Sequence, residues 1–503
     1  MNAAGDAVAL WMRENGANDV IQAAVRPAGG GWQAVQDLSA PGLVLAPEVA
    51  LDPAGDAVAA WTGRSGMHNS VEAAFRPAGG PWQPAQALSV PGQHNDSPHV
   101  ALDPAGNAVA VWRGTAGNPI VRAAVRPAAS GTWGPPQDVS AAGDYAYFPR
   151  VAVDAAWNAV AVWHGWNGMA YVVRAARRPA GGDWQSPQDI SAGSLEGMYP
   201  DVAADPAGNA AAVWVRAVGG DQLAEAAVRP AGGAWQPPQA LSAPAGAAFG
   251  ARVALDAAGN VVAVWRRWNG AHYIAQAAVR SGGGWQLPAK DLSQAGRSAA
   301  GLDVALDPAG NAVTVWNRSN GTNEVVQAAA YDGAGPVLRS VSAPANGFAR
   351  QRLSFSLDAF DAWSPLAVPL WSFGDGKSAS GRTVRHTYAR RGTYTVSLSQ
   401  ADALGNLSTA TRLLTLRIAR CFGRAATRVG TSGADRIVGT RRADVIVTLA
   451  GADRVRGRGG NDRICGGKGR DRIAGGAGND LLNGGPGRDI CSQGGGRGRL
   501  VAC

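Results

Sequence analysis

The segment His99-Val-Ala-Leu-Asp-Pro-Ala-Gly-Asn-Ala-Val-Ala-Val-Trp112 decides the fold of the first two thirds of this 503-residue chain. Its tryptophan recurs at intervals of 50 or 51 residues. The members of the series are Trp11, Trp61, Trp112, Trp163, Trp214, Trp265 and Trp316. A fixed period of this length indicates a repeat architecture, in which each copy is one supersecondary unit.

Each copy alternates apolar and polar residues and is interrupted by turn residues. In the copy quoted above we predict four strands: V-A-L, A-V-A-V-W, a third from Ile120 to Arg126, and a fourth from Trp133 to Ser140. The D-P-A-G-N and R-P-A-G-G-x-W sequences supply the Pro and Gly of tight connections. Four short strands repeated seven times predict a seven-bladed β-propeller over residues 1–342. A solenoid of small residues or a row of separate hairpins is the alternative.

The first copy lacks its first strand, because the segment Met1–Asp6 aligns with the middle of the D-P-A-G-N turn. Either the seventh blade closes differently, or the sequence is incomplete at its N-terminus. We expect the second, since it would also explain why no signal peptide precedes domains of a secreted type. No hydrophobic run approaches the length of a membrane span.

Residues 343–418 differ in character from the repeats. They contain Trp371-Ser-Phe-Gly-Asp-Gly376, His386-Thr-Tyr388 and the alternating run Gly392-Thr-Tyr-Thr-Val-Ser-Leu398. This segment closely resembles the PKD domain, an immunoglobulin-like β-sandwich, and the resemblance implies a spacer or binding module of extracellular proteins. It also implies that His386 and Asp375 hold a turn; a catalytic pair is the alternative.

The last segment, residues 419–503, has a second period, of nine residues. Its clearest copies begin at Gly466-Gly-Lys-Gly-Arg-Asp471 and Gly475-Gly-Ala-Gly-Asn-Asp480, and the unit reads G-G-x-G-x-D-x-U-x, with U aliphatic. The aspartates of the ladder are Asp435, Asp444, Asp453, Asp462, Asp471, Asp480 and Asp489. Calcium prefers hard oxygen ligands, and glycine-rich turns let backbone carbonyls approach an ion.

The nonapeptide resembles the hemolysin-type (RTX) calcium-binding repeat family, which implies a parallel β-roll with calcium between its turns. With two nonapeptides per turn, Asp462 should bridge to Asp480 and Asp471 to Asp489. Arg442 and Thr448 replace glycines of the unit, and Cys491 replaces an aliphatic residue, so we expect weaker sites in the early copies. A disordered Gly/Arg linker is the alternative.

Charge and cysteine are both concentrated in the tail. From Arg420 onward there are 15 Arg and one Lys against seven Asp, an excess of nine positive charges that equals the net charge of the whole chain. This excess could attract an anionic polymer or could simply keep the roll soluble. All four cysteines lie here, and three pairings are possible; we favour Cys421 with Cys465 and Cys491 with Cys503, which would staple both ends of the roll. A zinc site is the alternative.

Candidate ligand-binding residues are those that break the symmetry of the repeat in the connections leading into the first strand of a copy. They are Glu48, His94, Asp96, Asp144, Tyr145, Tyr147, Glu196, Tyr199 and Asp201. The repeated aspartates that precede Pro or Ala in D-P-A-G-N-like turns look like turn formers instead. No phosphate-binding loop, Ser/His/Asp order or zinc spacing occurs among the candidates.

These observations predict an all-β, extracellular, calcium-binding protein that is not an enzyme. Its propeller would present a surface to a glycan or protein ligand, and its tail would fold in extracellular calcium. Nothing indicates specific nucleic-acid binding, and the oligomeric state is left open. A secreted polysaccharide hydrolase or lyase with its site on the propeller loops is the alternative, because carboxylates occur among the candidates.

Overall fold

The computed structural model describes residues 1–2, 4–16, 18–65, 67–141, 143–191, 196–244, 246–294, 296–319 and 321–503. It consists of two compact units, Met1–Gly333 and Ala334–Cys503. The described residues form strands and no helix, which confirms the all-β prediction. Among them, therefore, no helix is present that could cross a bilayer.

The first unit contains seven antiparallel sheets, numbered here 1 to 7 along the chain, in a propeller-like arrangement. Sheet 1 consists of Ala7–Asn15, Asn18–Arg26 and Gln36–Asp37, and sheet 2 of Val44–Leu51, Ala57–Ser65, His68–Arg76 and Gln86–Ala87. Sheet 3 consists of Asn95–Leu102, Ala108–Ala116, Asn118–Arg126 and Gln137–Asp138, and sheet 4 of Tyr147–Val153, Ala159–Trp166, Tyr171–Arg178 and Gln188–Asp189. Sheet 5 consists of Gly197–Ala204, Ala210–Val218, Asp221–Arg229 and Gln239–Ala240. Sheet 6 consists of Ala248–Leu255, Val261–Trp268, Tyr273–Ser281 and Gly284–Asp291, and sheet 7 of Ala299–Leu306, Ala312–Ser319 and Glu324–Tyr331.

The fourth strand of most sheets is shorter than we predicted. In sheet 3 it comprises only Gln137–Asp138, instead of the span from Trp133 to Ser140. Pro135 and Pro136 precede it, and proline has no N–H to donate to a neighbouring strand. Among the described residues sheets 1 and 7 have three strands each, and sheet 1 begins with Ala7–Asn15, the second strand of a copy, in keeping with the missing first strand that the alignment predicts.

The recurring tryptophans pack between sheets that are neighbours in sequence. Trp112 is fully buried and shares a cluster with Val58 and Ala60 of sheet 2. Trp163 is also fully buried, against Val109 and Val111 of sheet 3. Corresponding clusters form around Trp61, Trp214, Trp265 and Trp316. Small Ala and Val side chains on the strands leave room for these indole rings between the sheets.

The repeated aspartates form turns, as predicted. Asp103 Oδ1 accepts hydrogen bonds from the backbone N–H groups of Ala105 and Asn107, at 2.9 and 2.8 Å. Asn107 Nδ2 donates to Asp103 Oδ2 at 2.7 Å, and Asn107 Oδ1 accepts from the Ala128 N–H at 2.8 Å. The Asp–Asn pair therefore satisfies its own buried groups and ties the D-P-A-G-N turn to the following R-P-A turn.

The second unit begins with a two-layered β-sandwich. Its strands are Val337–Ser342, Asn346–Phe348, Arg352–Phe360, Leu370–Ser372, Ser378–Ser380, Thr383–Thr387, Gly392–Ala401 and Leu407–Arg417. Trp371, Phe373, Val396 and Leu398 form its core, as predicted from their alternation. The strand Val337–Ser342, which we assigned to the repeat region, pairs with Arg352–Phe360 in the sandwich.

The tail is a roll of two parallel sheets, which follows the short hairpin Arg420–Cys421 and Arg424–Ala425. One sheet consists of Arg428–Val429, Val445–Val447, Arg463–Cys465, Leu481–Asn483 and Arg499–Val501, and the other of Arg436–Val438, Arg454–Gly459, Arg472–Ala477 and Ile490–Gly494. Paired residues are 18 apart, as for Ile446 and Ile464. Both favoured disulfides are present, between Cys421 and Cys465 and between Cys491 and Cys503.

Candidate functional sites

One ionisable residue from the first strand of each of sheets 2 to 7 lines a common cavity of about 470 Å³. We call these six residues the channel ring: Glu48, His99, Arg150, Asp201, Arg252 and Asp303. Each is separated from the next by 51 residues, so all occupy the same position of the repeat. The ring therefore places acidic, basic and imidazole side chains around one opening, although the backbone that carries them is repetitive.

A β-bulge positions each member of the ring. The pairing register shifts immediately before each member, as between Leu45 and Glu48 and between Met198 and Asp201. Two residues before each member the backbone has positive φ, for example 52° at Phe148 and 51° at Tyr199. Bulges redirect side chains and are common beside active sites. Positive φ in a bulky residue costs about 1–3 kcal/mol and persists where the surrounding structure holds it.

The ring is held together by polar contacts across the cavity. Arg150 Nη1 lies 2.9 Å from Glu48 Oε1. Asp201 Oδ2 accepts the Val253 N–H at 3.0 Å, and His99 Nδ1 accepts the Val151 N–H at 3.2 Å. His99 therefore carries its single proton on Nε2 in the neutral state.

Burial shifts the protonation of two ring members. Burial first, then Arg150 and Arg252, lowers the pKa of His99 to about 3, so this imidazole is neutral at physiological pH. Burial raises the pKa of Asp201, an effect opposed by the same two arginines. The cavity thus contains a neutral imidazole and a carboxyl group whose proton affinity is increased.

A second cavity, of about 460 Å³, adjoins the ring through Arg150 and Arg252. We call it the vestibule; its walls also include Phe148, Tyr199, Phe249 and Arg266. Phe148 and Tyr199 are each 44% exposed, and their ring centroids are 4.9 Å apart. The vestibule therefore combines accessible aromatic surface with three guanidinium groups, and none of the described residues that line it is a carboxylate.

The aspartates of the tail stack in two columns with an 18-residue step. In each column the backbone N–H of one aspartate donates to Oδ1 of the aspartate one turn later. The two pairs predicted to be bridged by calcium are in direct contact, at 2.9 Å from Asp462 N to Asp480 Oδ1 and 2.8 Å from Asp471 N to Asp489 Oδ1, and their bridging by an ion stays a prediction. The contact joins a backbone amide to a carboxylate, so the second carboxylate oxygen, Oδ2, stays available.

This second oxygen is buried and lacks a hydrogen-bond partner among the described residues at Asp462, Asp471 and Asp480. The three side chains are at most 1% exposed. A Cβ added to Gly466 would contact both Asp471 Oδ2 and the carbonyl oxygen of Gly484, so glycine leaves room for two oxygens to converge. Hard, converging oxygens in a buried position fit calcium.

Burial raises the pKa of Asp462 to about 6, and repulsion from Asp480 and Asp444 adds to this effect against a backbone hydrogen bond. Burial likewise raises the pKa of Asp453 and of Asp471. Buried, like-charged carboxylates are costly without a cation, so a divalent ion would favour their ionised form.

The two earliest aspartates differ from the later ones. Asp435 Oδ2 accepts hydrogen bonds from the backbone N–H and Oγ1 of Thr431, at 2.6 and 3.1 Å. Asp444 Oδ2 is bound in the same way by Thr440, at 2.6 and 2.9 Å. Threonine in these turns satisfies oxygens that the later copies leave without a partner among the described residues, and weaker calcium sites in the early copies stay a prediction.

Family models match both modules of the second unit. The PKD domain model matches residues 345–415. The RTX calcium-binding nonapeptide repeat model matches residues 429–464, 458–491 and 466–500. The tail consists of RTX calcium-binding repeats. Calcium is thus the cofactor of the tail, as predicted, while the assignment of individual aspartates as ligands stays a prediction. PKD domains and RTX repeats occur in secreted and cell-surface proteins.

Solved structures resemble parts of the chain. The β-propeller domain of the Trilobed protease from Pyrococcus furiosus is 7% identical, with 65% of this chain and 92% of that chain covered and a TM-score of 0.41. An ulvan lyase, a polysaccharide lyase, is 12% identical over 64% and 89%, with a TM-score of 0.42. The PKD1 domain of Vibrio anguillarum Epp is 27% identical over 18% and 100%, with a TM-score of 0.16. No curated protein is significantly similar to this chain.

The nine candidate ligand-binding residues of the propeller-like unit are distributed unevenly. Glu48 and Asp201 belong to the channel ring and Tyr199 to the vestibule. Tyr147 packs against His164, with ring centroids 5.4 Å apart, and Tyr145 is 41% exposed.

The remaining candidates make local contacts. Asp96 forms an ion pair with Arg113, and Asp144 lies 2.7 Å from Arg174 Nη1. The backbone N–H of His94 donates to Thr115 Oγ1 at 3.3 Å, and its Nδ1 accepts the Asn69 N–H at 3.5 Å; His94 and Glu196 are both exposed. The role of all nine in ligand binding stays a prediction.

Reasoning from sequence missed four members of the ring, namely His99, Arg150, Arg252 and Asp303. We searched for carboxylates and tyrosines in variable connections, whereas the ring lies at a fixed place, immediately before the V-A-L strand. The available signal was positional. One column of the aligned repeats contains Glu, His, Arg, Asp, Arg and Asp, while the next two columns contain only Val and Ala.

Proposed function

We propose that this protein is an extracellular binding or adhesion protein, in which the propeller-like unit binds a glycan or protein ligand at the channel ring and vestibule. The RTX repeats would order the tail when they meet millimolar extracellular calcium. The PKD domain would act as a spacer or a second binding module. The oligomeric state plays no part in this proposal.

One observation carries the proposal: the only repeat column with chemically diverse ionisable side chains, among the described first strands, lines a single cavity. A position of the repeat with a purely structural role would be expected to hold the same residue in every copy, as the position of the turn aspartates does. Cavities of a few hundred Å³ with a few convergent polar groups are typical of ligand sites. Because aromatic residues lie beside this cavity, a saccharide or a peptide side chain could stack there.

Retention of the full chain on a panel of polysaccharides and cell-wall preparations tests the proposal. We expect retention on at least one matrix, and we expect Asp201→Asn to reduce it. Glu14→Gln, on an exposed carboxylate of sheet 1, is the matched control and should bind like the wild type. Failure of the wild type to bind any matrix, in calcium and in chelator, would contradict the proposal.

A polysaccharide hydrolase or lyase is a second candidate, because the ring offers acid/base groups. Asp201, whose pKa burial raises, could donate a proton to a leaving group. The same experiment decides between the candidates when the supernatant is assayed for released sugar. Released product that disappears in Asp201→Asn would establish an enzyme, whereas retention without product would establish a binding protein.

A further inference from the structure

Resting on the proposed function, we infer that the vestibule binds an acidic saccharide, a pyranose unit that carries a carboxylate or sulfate group. Its walls provide two kinds of contact. Phe148, Tyr199 and Phe249 offer aromatic faces, and Arg150, Arg252 and Arg266 offer guanidinium groups. The inference names the ligand class, which the proposed function leaves open.

The aromatic side chains are exposed in a way that requires explanation. Phe148 and Tyr199 have φ of 52° and 51°, a conformation that bulky L-residues rarely adopt. The equivalent positions in sheets 6 and 7 are Gly250 and Gly301, which adopt it without strain. The equivalent positions in sheets 2 and 3 are Ala46 and Ser97, so the two exposed aromatic rings occupy positions that hold small residues in the other described copies.

Arg252 is the guanidinium group best placed to receive an anion. It donates to the carbonyl oxygen of Ala251 at 3.0 Å and forms no ion pair within the described part of the chain. Arg150, by contrast, is already paired with Glu48. A guanidinium group binds carboxylate and sulfate oxygens through two parallel N–H donors, so an unpaired arginine beside aromatic faces favours an anionic ligand.

The channel ring favours a sugar over a nucleic acid strand, which also combines negative charge with stacking. Glu48, Asp201 and Asp303 line the cavity next to the vestibule. These carboxylates can accept hydrogen bonds from the several hydroxyl groups that a sugar carries beside its charged group, whereas a DNA strand offers almost no hydroxyl groups. The vestibule also has a volume of about 460 Å³, which suits one or two sugar units.

Isothermal titration of the full chain in calcium tests the inference with four probes: tetragalacturonate, a heparin-derived tetrasaccharide, cellotetraose and an oligothymidylate. We expect at least one acidic tetrasaccharide to bind and cellotetraose to bind much more weakly. Arg252→Ala should weaken the acidic probe by about tenfold or more, as expected for a lost charge-assisted contact. Arg13→Ala, which removes an exposed arginine of sheet 1, should leave binding unchanged.

Tyr199→Gly and Phe148→Gly separate binding from folding. Each removes an aromatic ring and relieves a positive φ, so these variants should be at least as stable as the wild type and should lose affinity for the acidic probe. Undiminished binding in Tyr199→Gly and Arg252→Ala would overturn the inference. Retention of such variants on a matrix would then locate the ligand site elsewhere and leave the proposed function standing.

Three other results would also overturn the inference. Binding of cellotetraose as tight as that of the acidic probes would show that the ligand is a neutral sugar. Arg252-dependent binding of the oligothymidylate, without binding of either acidic tetrasaccharide, would assign the vestibule to nucleic acid. Absence of binding for all four probes would remove the acidic class, and the matrix panel would then decide whether the proposed function survives.

Discussion

Asp103 in the propeller-like unit and Asp471 in the RTX repeats are both 1% exposed and both lie in repeated turns. Asp103 uses both of its oxygens, because Asn107 stands four residues later and donates to Oδ2. Asp471 uses Oδ1 alone, and its Oδ2 has no partner among the described residues. The first repeat satisfies its buried charge internally, while the second requires an external cation.

The apolar cores of the two regions also differ, because the propeller-like unit buries more apolar surface per residue than the roll does. Each pair of neighbouring sheets encloses a tryptophan and several Val and Ala side chains, as around Trp163. The roll has a narrow column of single aliphatics, Ile446, Val455, Ile464, Ile473 and Leu482. Such a column buries little apolar surface per residue, so ions and disulfides must supply the stability that packing supplies in the propeller-like unit.

Removal of calcium is expected to have the largest effect and to separate the two regions. In chelator, residues 429–501 should lose amide protection, because unneutralised carboxylates cannot stay buried and stacked. Residues of sheets 1 to 7 should keep their protection. Hydrogen exchange followed by peptide mass spectrometry in chelator and in about 5 mM calcium, a concentration typical of weak extracellular sites, measures both. Equal protection of the tail in both conditions would contradict our account.

Trp163→Ala should produce the opposite pattern. It removes a fully buried indole ring between sheets 3 and 4 and should cost about 3–5 kcal/mol of unfolding free energy in the propeller-like unit. The calcium midpoint of the tail should not change. Denaturant titration of tryptophan fluorescence reports the loss, and Trp32→Ala, on a ring that is 53% exposed, is the control with little expected effect.

The limits of prediction from sequence follow from the same comparison. The 51-residue and nine-residue periods can be recognised in the sequence because identical residues recur, Trp in the first and Asp in the second. The pairing of the four cysteines is predictable because each of the two disulfides closes one end of the roll. The channel ring was not found, because its members differ chemically and only their position repeats. The predicted fourth strands are too long because the alternation of apolar and polar residues takes no account of Pro135 and Pro136, which have no backbone N–H to donate. The sequence boundary at residues 342 and 343 assigns Val337–Ser342 to the repeats, whereas this strand pairs with Arg352–Phe360, because one short strand can pair with either neighbour.

Asn107→Ala makes the propeller turn resemble an RTX turn and so tests the comparison directly. It leaves Asp103 Oδ2 and the Ala128 N–H without their present partners. We expect a loss of about 1–3 kcal/mol, the usual cost of an unsatisfied buried group. Thermal unfolding measures it, with Asn118→Ala, at the end of a strand of the same sheet, as the control. If calcium restores the lost stability, the Asp103 Oδ2 left without its partner can bind the ion.

The smallest expected effect distinguishes two members of one ladder. Asp471→Asn removes a carboxylate whose Oδ2 is free for an ion, whereas Asp435→Asn removes one that Thr431 already satisfies. The first substitution should raise the calcium midpoint of the folding transition by about tenfold, roughly 1.4 kcal/mol, and the second by much less. Asparagine keeps an oxygen acceptor at each position, so the contact of residue 471 with the Asp453 N–H and that of residue 435 with the Thr431 N–H can persist. Calcium titrations monitored by circular dichroism compare the variants. Equal midpoints would mean that the ion is bound by the turn carbonyls, and that the orphaned oxygen at Asp471 is not a ligand.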